Sequence, residues 1–279
     1  MLATLGDTGP QEGEGCMGRW VRARHRLRAG TRRRGLGGVR EPRQVVVEAG
    51  PGAGLVLDLV GASADYAAGT NELPVQQAIV DTLGPGDVFV DVGANIGYFS
   101  LLAARAVGPT GRVVAIEAVT ELAAAVRANA GRNGLDQIDV IEAAASDTVG
   151  EGVLMLAEHP GGATISPDDV PPDLAGRRTV RTVSLDGLVA AGGMPVPSMV
   201  KVDVEGAEFS VLAGMTEIMA RHRPAVLCEL DSPDEAGLRA KVAAFRDLML
   251  VRGYEVRDLP PSYAAADWHV YHGLALPRG

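Results

Sequence analysis

The decapeptide Val88-Phe89-Val90-Asp91-Val92-Gly93-Ala94-Asn95-Ile96-Gly97 constrains the fold more than any other stretch of the chain. An apolar run ends at an acid, two glycines bracket Ala94, Asn95 and Ile96, and an apolar helical pattern follows over 98–107. Buried strand, tight turn and helix in that order are how an α/β sheet builds a nucleotide pocket. Gly93 would let the backbone approach a ligand, and Gly97 would allow close helix–strand packing.

The same alternation continues on both sides. Strands are predicted at 88–91, 112–118, 138–144, 199–203 and 225–230, and helices at 72–83, 98–107, 121–132, 185–190, 207–222 and 235–252. Strands alternating with helices give an α/β fold, a mostly parallel sheet with helices on both faces. Two late strands at 254–258 and 269–276 suggest an antiparallel edge strand. Ahead of this unit, 45–48 and 55–59 flank a glycine-rich turn and read as an N-terminal β-hairpin, so that 45–86 leads into a single domain spanning 45–279. Shorter strands at 153–157 and 180–183 enclose a loop over 158–178, long enough to cap a pocket.

Charge separates the first 44 residues from the rest. Residues 1–44 carry ten arginines against four acids, whereas 45–279 carry 16 bases against 31 acids. The glycine- and arginine-rich start is expected to be a disordered or partly helical tail, or a start codon placed too early; a basic arm for an acidic partner or membrane surface is the sharper alternative. The acidic body argues against broad nucleic-acid binding, and 4% aromatic content offers few platforms for bases. Cys16 and Cys228 are too far apart for metal-ligand spacing, which suggests a reducing, cytoplasmic setting. No apolar run is long enough to span a bilayer.

Ligands of open α/β sheets sit beyond the carboxyl ends of the strands. Those ends carry Asp91, Glu117, Ser146 and Asp147, Asp203 and Glu205, and Glu229 and Asp231. Glu117 could accept both hydroxyls of a ribose, which suits NAD and S-adenosylmethionine alike. The glycines discriminate better: a dinucleotide fingerprint needs Gly-x-Gly-x-x-Gly, whereas here Gly93 and Gly97 stand four apart, two residues after an acid. Asp91 would repel a pyrophosphate and would suit a ligand carrying an ammonium and a sulfonium, such as S-adenosylmethionine. Its alternative role is to cap the turn.

These segments resemble the FkbM family of S-adenosylmethionine-dependent methyltransferases. The resemblance is carried by Asp91-Val92-Gly93-Ala94-Asn95-Ile96-Gly97, the Asn129 and Asn133 pair, Ala145-Ser146-Asp147, and most specifically Val200-Lys201-Val202-Asp203-Val204-Glu205-Gly206-Ala207-Glu208. It runs from about residue 67 to the C-terminus and departs from the family at Glu117-Ala118-Val119, where a proline commonly follows the acid. The resemblance implies a class I methyltransferase, Rossmann-like fold. It implies that Asp91, Gly93 and Asn95 line the methionine end of the cofactor beside the Gly97 turn, that Glu117 binds the ribose with Ala118 near the adenine, and that Ser146 and Asp147 meet the adenine. Thr70, Asn71 and Glu72 would fold over the methionine, or else Thr70 or Asn71 simply caps a helix.

Lys201 lies inside an apolar strand, a costly position without a partner. Asp203, two residues on and on the same strand face, is its natural mate. Asp203 is also the first candidate for a base toward a hydroxyl acceptor, so Asp203 and Lys201 form the expected catalytic pair. Glu205 and Glu208 fit a capping box. Mg²⁺ held by Asp203, Glu229 and Asp231 is only weakly supported by their spacing, and no metal site is assigned. His159, His269 and His272 are further, weaker candidates for a base. The reading is O-methylation of a small-molecule hydroxyl, a sugar or natural-product intermediate. N- or C-methylation, a non-catalytic cofactor-binding protein and an NAD-linked oxidoreductase are the alternatives.

Overall fold

The computed structural model describes residues 44–60, 62–158, 162–166, 170–171, 173–263 and 269–279. The arginine-rich start (1–43) and His159 lie outside the described residues. The main sheet has seven strands: β3 (Val88–Val92), β4 (Arg112–Glu117), β5 (Ile138–Glu142), β9 (Met199–Val202), β10 (Ala225–Ser232), β11 (Tyr254–Asp258) and β12 (His269–Pro277). Their spatial order is β11-β12-β10-β9-β3-β4-β5. Pairing is parallel from β10 through β5, and β12 runs antiparallel to both β10 and β11. The antiparallel strand therefore lies one position inside the edge, which β11 occupies. A chain returning directly from β11 can reach the gap beside β10 only by reversing direction.

Each central strand feeds two cores, because successive side chains point to opposite faces. Phe89, Val113, Met199 and Leu227 pack on one face beneath the helices Leu73–Thr82, Tyr98–Val107 and Thr120–Arg132. Val90, Val114, Val200 and Val226 pack on the other with Val211, Leu212, Phe245 and Met249, from the helices Glu208–Ala213 and Glu235–Val251. Among the described residues, no helix is long and apolar enough to cross a membrane.

The N-terminal hairpin forms as expected, with β1 (Gln44–Val46) antiparallel to β2 (Val56–Asp58). It is tied to the domain by the Asn129 and Asn133 pair, one helical turn apart on Thr120–Arg132. The Asn133 amide exchanges bonds with the backbone N–H and carbonyl of Val56 at 2.9 and 2.8 Å. Asn129 accepts from the Asp58 N–H at 2.8 Å and donates to the Ile96 carbonyl at 2.9 Å. Two carboxamides thus stand in for a partner strand, and Asn129 also fixes the glycine turn.

Two expectations need correction. The helix expected over 207–222 is two helices, Glu208–Ala213 and Thr216–Arg221. Gly214 separates them; a Cβ there would lie 2.1 Å from the Ser146 carbonyl oxygen, and the Asp186 carboxylate caps the second helix through the N–H groups of Glu217 and Ile218, both at 2.9 Å. The strand expected over 138–144 ends at Glu142. Ala144 and Ala145 instead begin a second sheet, ordered β6 (Ala144–Ala145), β8 (Leu174–Val183), β7 (Gly150–Ala157). The end of the predicted long loop, 174–178, is thus part of β8, paired antiparallel with β7.

Candidate active site

Register places the acids. Asp91, Glu117, Lys201 and Glu229 continue the strand face that Phe89, Val113, Met199 and Leu227 fill with apolar groups, and Asp203 extends the alternation just past β9. One face of the sheet therefore changes from apolar to charged at the carboxyl ends of its strands. His272 joins from β12 as the register partner of Glu229.

Asp91 and Lys201 are cross-strand partners with 0% and 3% of their side chains exposed. The Lys201 ammonium lies 2.9 Å from Asp203 and 3.8 Å from Asp91, and 4.8 Å from the centroid of the Phe99 ring. Burial alone would lower its pKa, but Asp203, Asp91 and Glu72 outweigh burial and hold it above the ordinary lysine value. Burial raises the Asp91 pKa, opposed by Lys201 and by the Ser100 hydroxyl, which donates to Asp91 at 2.6 Å. The pairing expected from the sequence is present. Asp91, however, is sealed behind Lys201 and lines neither of the cavities described next. Ser100, which donates to Asp91, and Phe99, which lies against Lys201, were not singled out in the sequence, although both sit in the first turn after Gly97.

A cleft of about 660 Å³ opens over the ends of β3 and β4, with Glu117, Ala118, Val119 and Ala143–Ala145 on its wall. A smaller cavity of about 320 Å³ lies toward Glu72, Tyr66 and Phe99. Gly93, Asn95 and Asp203 line both cavities, so they mark the junction. Gly93 has φ +79, and a Cβ on it would lie 1.9 Å from the Asp203 carbonyl oxygen. The close approach that requires glycine is thus made by the neighbouring strand end and not only by a ligand. Gly97 likewise packs against Val126 of the next helix, so the contact is helix to helix rather than helix to strand. Asn95, with φ +53, donates its N–H to Glu117 at 2.8 Å, while its buried Oδ1 has no hydrogen-bond partner among the described residues.

Glu117 also accepts from the Val119 N–H at 2.8 Å. Burial pushes its carboxyl up to about 7, against the pull of those two N–H groups. Leu154, Ala163 and Ile165 close the cleft from the inserted sheet and loop, the location expected of a cap. Ser146 and Asp147 are not among the lining residues. The Ser146 hydroxyl donates to Asp147 at 3.0 Å, and Ser146 is buried against Gly214.

A third group adjoins the smaller cavity. His272 Nε2 lies 2.9 Å from Glu229 Oε2 and 3.5 Å from Glu72 Oε2, and the Tyr263 hydroxyl donates to Glu72 Oε1 at 2.6 Å. Burial disfavours a charged imidazole here, but Glu229 and Glu72 outweigh it and push the His272 pKa up to about 10. Glu72 is the N-cap of Leu73–Thr82 with φ 49 and makes no capping bond, so neither Thr70 nor Asn71 caps that helix. Pro at the first turn sets the start instead. Asp203, Glu229 and Asp231 do not gather as a ligand set; among the described residues Glu229 groups with Glu72 and His272. That meeting joins chain segments 200 residues apart and has no local signal in the sequence.

The capping box also fails. The helix begins at Glu208 with Ala207 as N-cap and no side-chain cap bond. Glu205 lies on the cleft wall, and Glu208 is buried with Oε1 accepting from the Gly206 N–H at 2.8 Å. Burial, aided by Asp231, pushes the Glu208 carboxyl up to about 9. A folded pKa above the unfolded value means the neutral acid favours folding: the contribution is complete below about 4.5 and is lost as pH rises toward 9. Glu208→Gln removes that dependence. Urea unfolding between about pH 5 and pH 9 should show the wild type losing stability that the variant keeps, on the order of 2 kcal/mol. Parallel curves would contradict the assignment.

Residues 91–256 match the family model described as the methyltransferase FkbM domain. The chain is 31% identical over 218 residues to 31-O-demethyl-FK506 methyltransferase FkbM of Streptomyces tacrolimicus, covering 67% of this chain and 80% of that protein. It is 28% identical over 211 residues to AMB antimetabolite synthetase AmbE of Pseudomonas aeruginosa, covering 62% of this chain but only 10% of AmbE. Among solved structures, methyltransferase FkbM from Methylobacillus flagellatus aligns at 17% identity with TM-score 0.45, over 71% of this chain and 50% of that one.

Proposed function

Because the chain belongs to the FkbM family of S-adenosylmethionine-dependent methyltransferases, we propose that it methylates a hydroxyl oxygen on a small molecule. Family membership sets aside the oxidoreductase alternative. S-adenosylmethionine supplies a methyl group on a sulfonium, and the residues present fit such a cation. The orphaned Asn95 Oδ1 is an acceptor at the junction of the two cavities, and the surrounding buried groups are mostly acids. In this reading Glu117 holds the ribose and Ala118 lies near the adenine, in the larger cleft. Gly93 and Asn95 border the sulfonium, and Glu72 faces the methionine. Ser146 and Asp147 support the adenine wall, while Asp91 and Gly97 act from behind, one on Lys201 and one on the turn.

The observation that carries the proposal is Asp203. Asp203 borders both cavities, its side chain 21% exposed and its carboxylate held by Lys201 at 2.9 Å. A hydroxyl must lose its proton as its oxygen bonds carbon, and an oriented carboxylate at that point can take it. The remaining work is alignment of the two reactants. The Streptomyces relative, named for a demethylated oxygen on its acceptor, is consistent with this class. Transfer from donor carrying a ¹³C-methyl group to a panel of sugars, uronic acids and hydroxylated macrocycles tests it. The reading predicts a product methyl carbon with the NMR shift of an ether; label found only on nitrogen or carbon would overturn it.

A further inference from the structure

We infer that Glu72, Glu229 and His272 form a binding site for one divalent first-row cation of the Zn²⁺ or Mn²⁺ kind. All three side chains are buried, and one ligand atom from each lies within 4.8 Å of the other two. Donor atoms about 2.1 Å from one cation stand about 3.0 Å apart in an octahedral arrangement and about 3.4 Å apart in a tetrahedral one. The separations from His272 Nε2 are 2.9 Å to Glu229 and 3.5 Å to Glu72, each within about 0.1 Å of those values. A proton on Nε2 can point well at one carboxylate at a time, whereas a cation between the three satisfies them together. One imidazole with two carboxylates suits Zn²⁺ or Mn²⁺ better than Mg²⁺, which prefers oxygen alone.

The cluster also has an open side: Glu72 lines the small cavity that reaches Asp203, with space of the size of a water beside it. Its neighbours can orient it, since Tyr263 donates to the second Glu72 oxygen and Ser262 Oγ lies 3.5 Å from His272 Nδ1.

The use of the cation rests on the methyltransferase reading, but its binding does not. An acceptor hydroxyl bound to the cation is more acidic. Its proton leaves to a carboxylate, its oxygen lone pair forms the bond to the methyl carbon, and the sulfur keeps the electrons of the bond that breaks. The site is tested without donor or acceptor. Metal-stripped full-length protein is titrated with Zn²⁺ and, separately, with Mn²⁺ by calorimetry, with electron paramagnetic resonance to count bound Mn²⁺. The expected result is one saturable site for at least one of the two ions, weakened at least 10-fold in both His272→Ala and Glu72→Gln. Glu72→Gln, nearly isosteric, guards against a folding defect, and far-ultraviolet circular dichroism with a cooperative urea transition reports whether each variant is folded. Absence of saturable binding to the wild type would overturn the inference, leaving a proton to hold the cluster. Equally tight binding by folded variants would also overturn it, by placing the metal elsewhere.

Discussion

Replacing Lys201 with methionine is expected to destabilise the protein by about 3–5 kcal/mol, the usual cost of removing one partner from a buried ionic group. Methionine fills much of the same volume and can still lie over Phe99, so the loss isolates charge rather than packing. Without the ammonium, Asp91 keeps Ser100 as its hydrogen-bond donor but loses its counter-ion in a fully buried position, and Asp203 loses its 2.9 Å partner. Because the two acids share one cation, the changes should not add: Asp91→Asn combined with Lys201→Met should cost less than the sum of the single substitutions. Urea unfolding of the four proteins measures this. A Lys201→Met loss below about 1 kcal/mol would show that the ammonium is not needed to hold the carboxylates, and the account of the strand ends would have to change.

The parts of this site that were legible in the sequence are those carried by local pattern. Strand β3, the turn and the helix Tyr98–Val107 follow from ten residues, because apolar alternation, glycine and an apolar helix each act over a few positions. Lys201 and Asp203 could be paired because strand periodicity puts residues i and i+2 on one face. The hairpin was readable from its own glycine-rich turn, but its anchor was not: Asn129 and Asn133 stood out as a pair, yet what they bind appears only when β2 is laid against them. The split at Gly214 was hidden in a continuous helical pattern, since the Ser146 carbonyl that crowds it comes from the segment just after β6, distant in sequence. Glu229 and His272 could be named singly, yet their contact depends on β12 inserting antiparallel beside β10, a choice made by sheet topology rather than by either segment. The glycines show the limit most clearly. Gly93 and Gly97 were recognised as special, but what crowds them is protein, the Asp203 carbonyl and Val126, and that geometry appears only when the strands are assembled.

Asp203→Asn is expected to lower turnover about 10²- to 10⁴-fold, the range for losing a positioned acid–base group. Asparagine keeps the shape of the side chain and an oxygen for Lys201, while Lys201 retains Asp91 at 3.8 Å, so the fold and the cavity junction should persist. What disappears is the capacity to accept a proton from the acceptor hydroxyl. Cofactor contacts assigned to Glu117, Gly93 and Asn95 are left in place. The loss should therefore appear in kcat, with little change in the KM for the methyl donor. The central claim, that the acid at the end of β9 works on the acceptor rather than on the cofactor, is tested most directly by titrating S-adenosylhomocysteine into wild-type and Asp203→Asn protein by calorimetry beside a turnover assay of both. The account predicts dissociation constants within about threefold of one another and a fall in kcat of at least about 100-fold; unchanged turnover, or turnover lost together with S-adenosylhomocysteine binding, would contradict it.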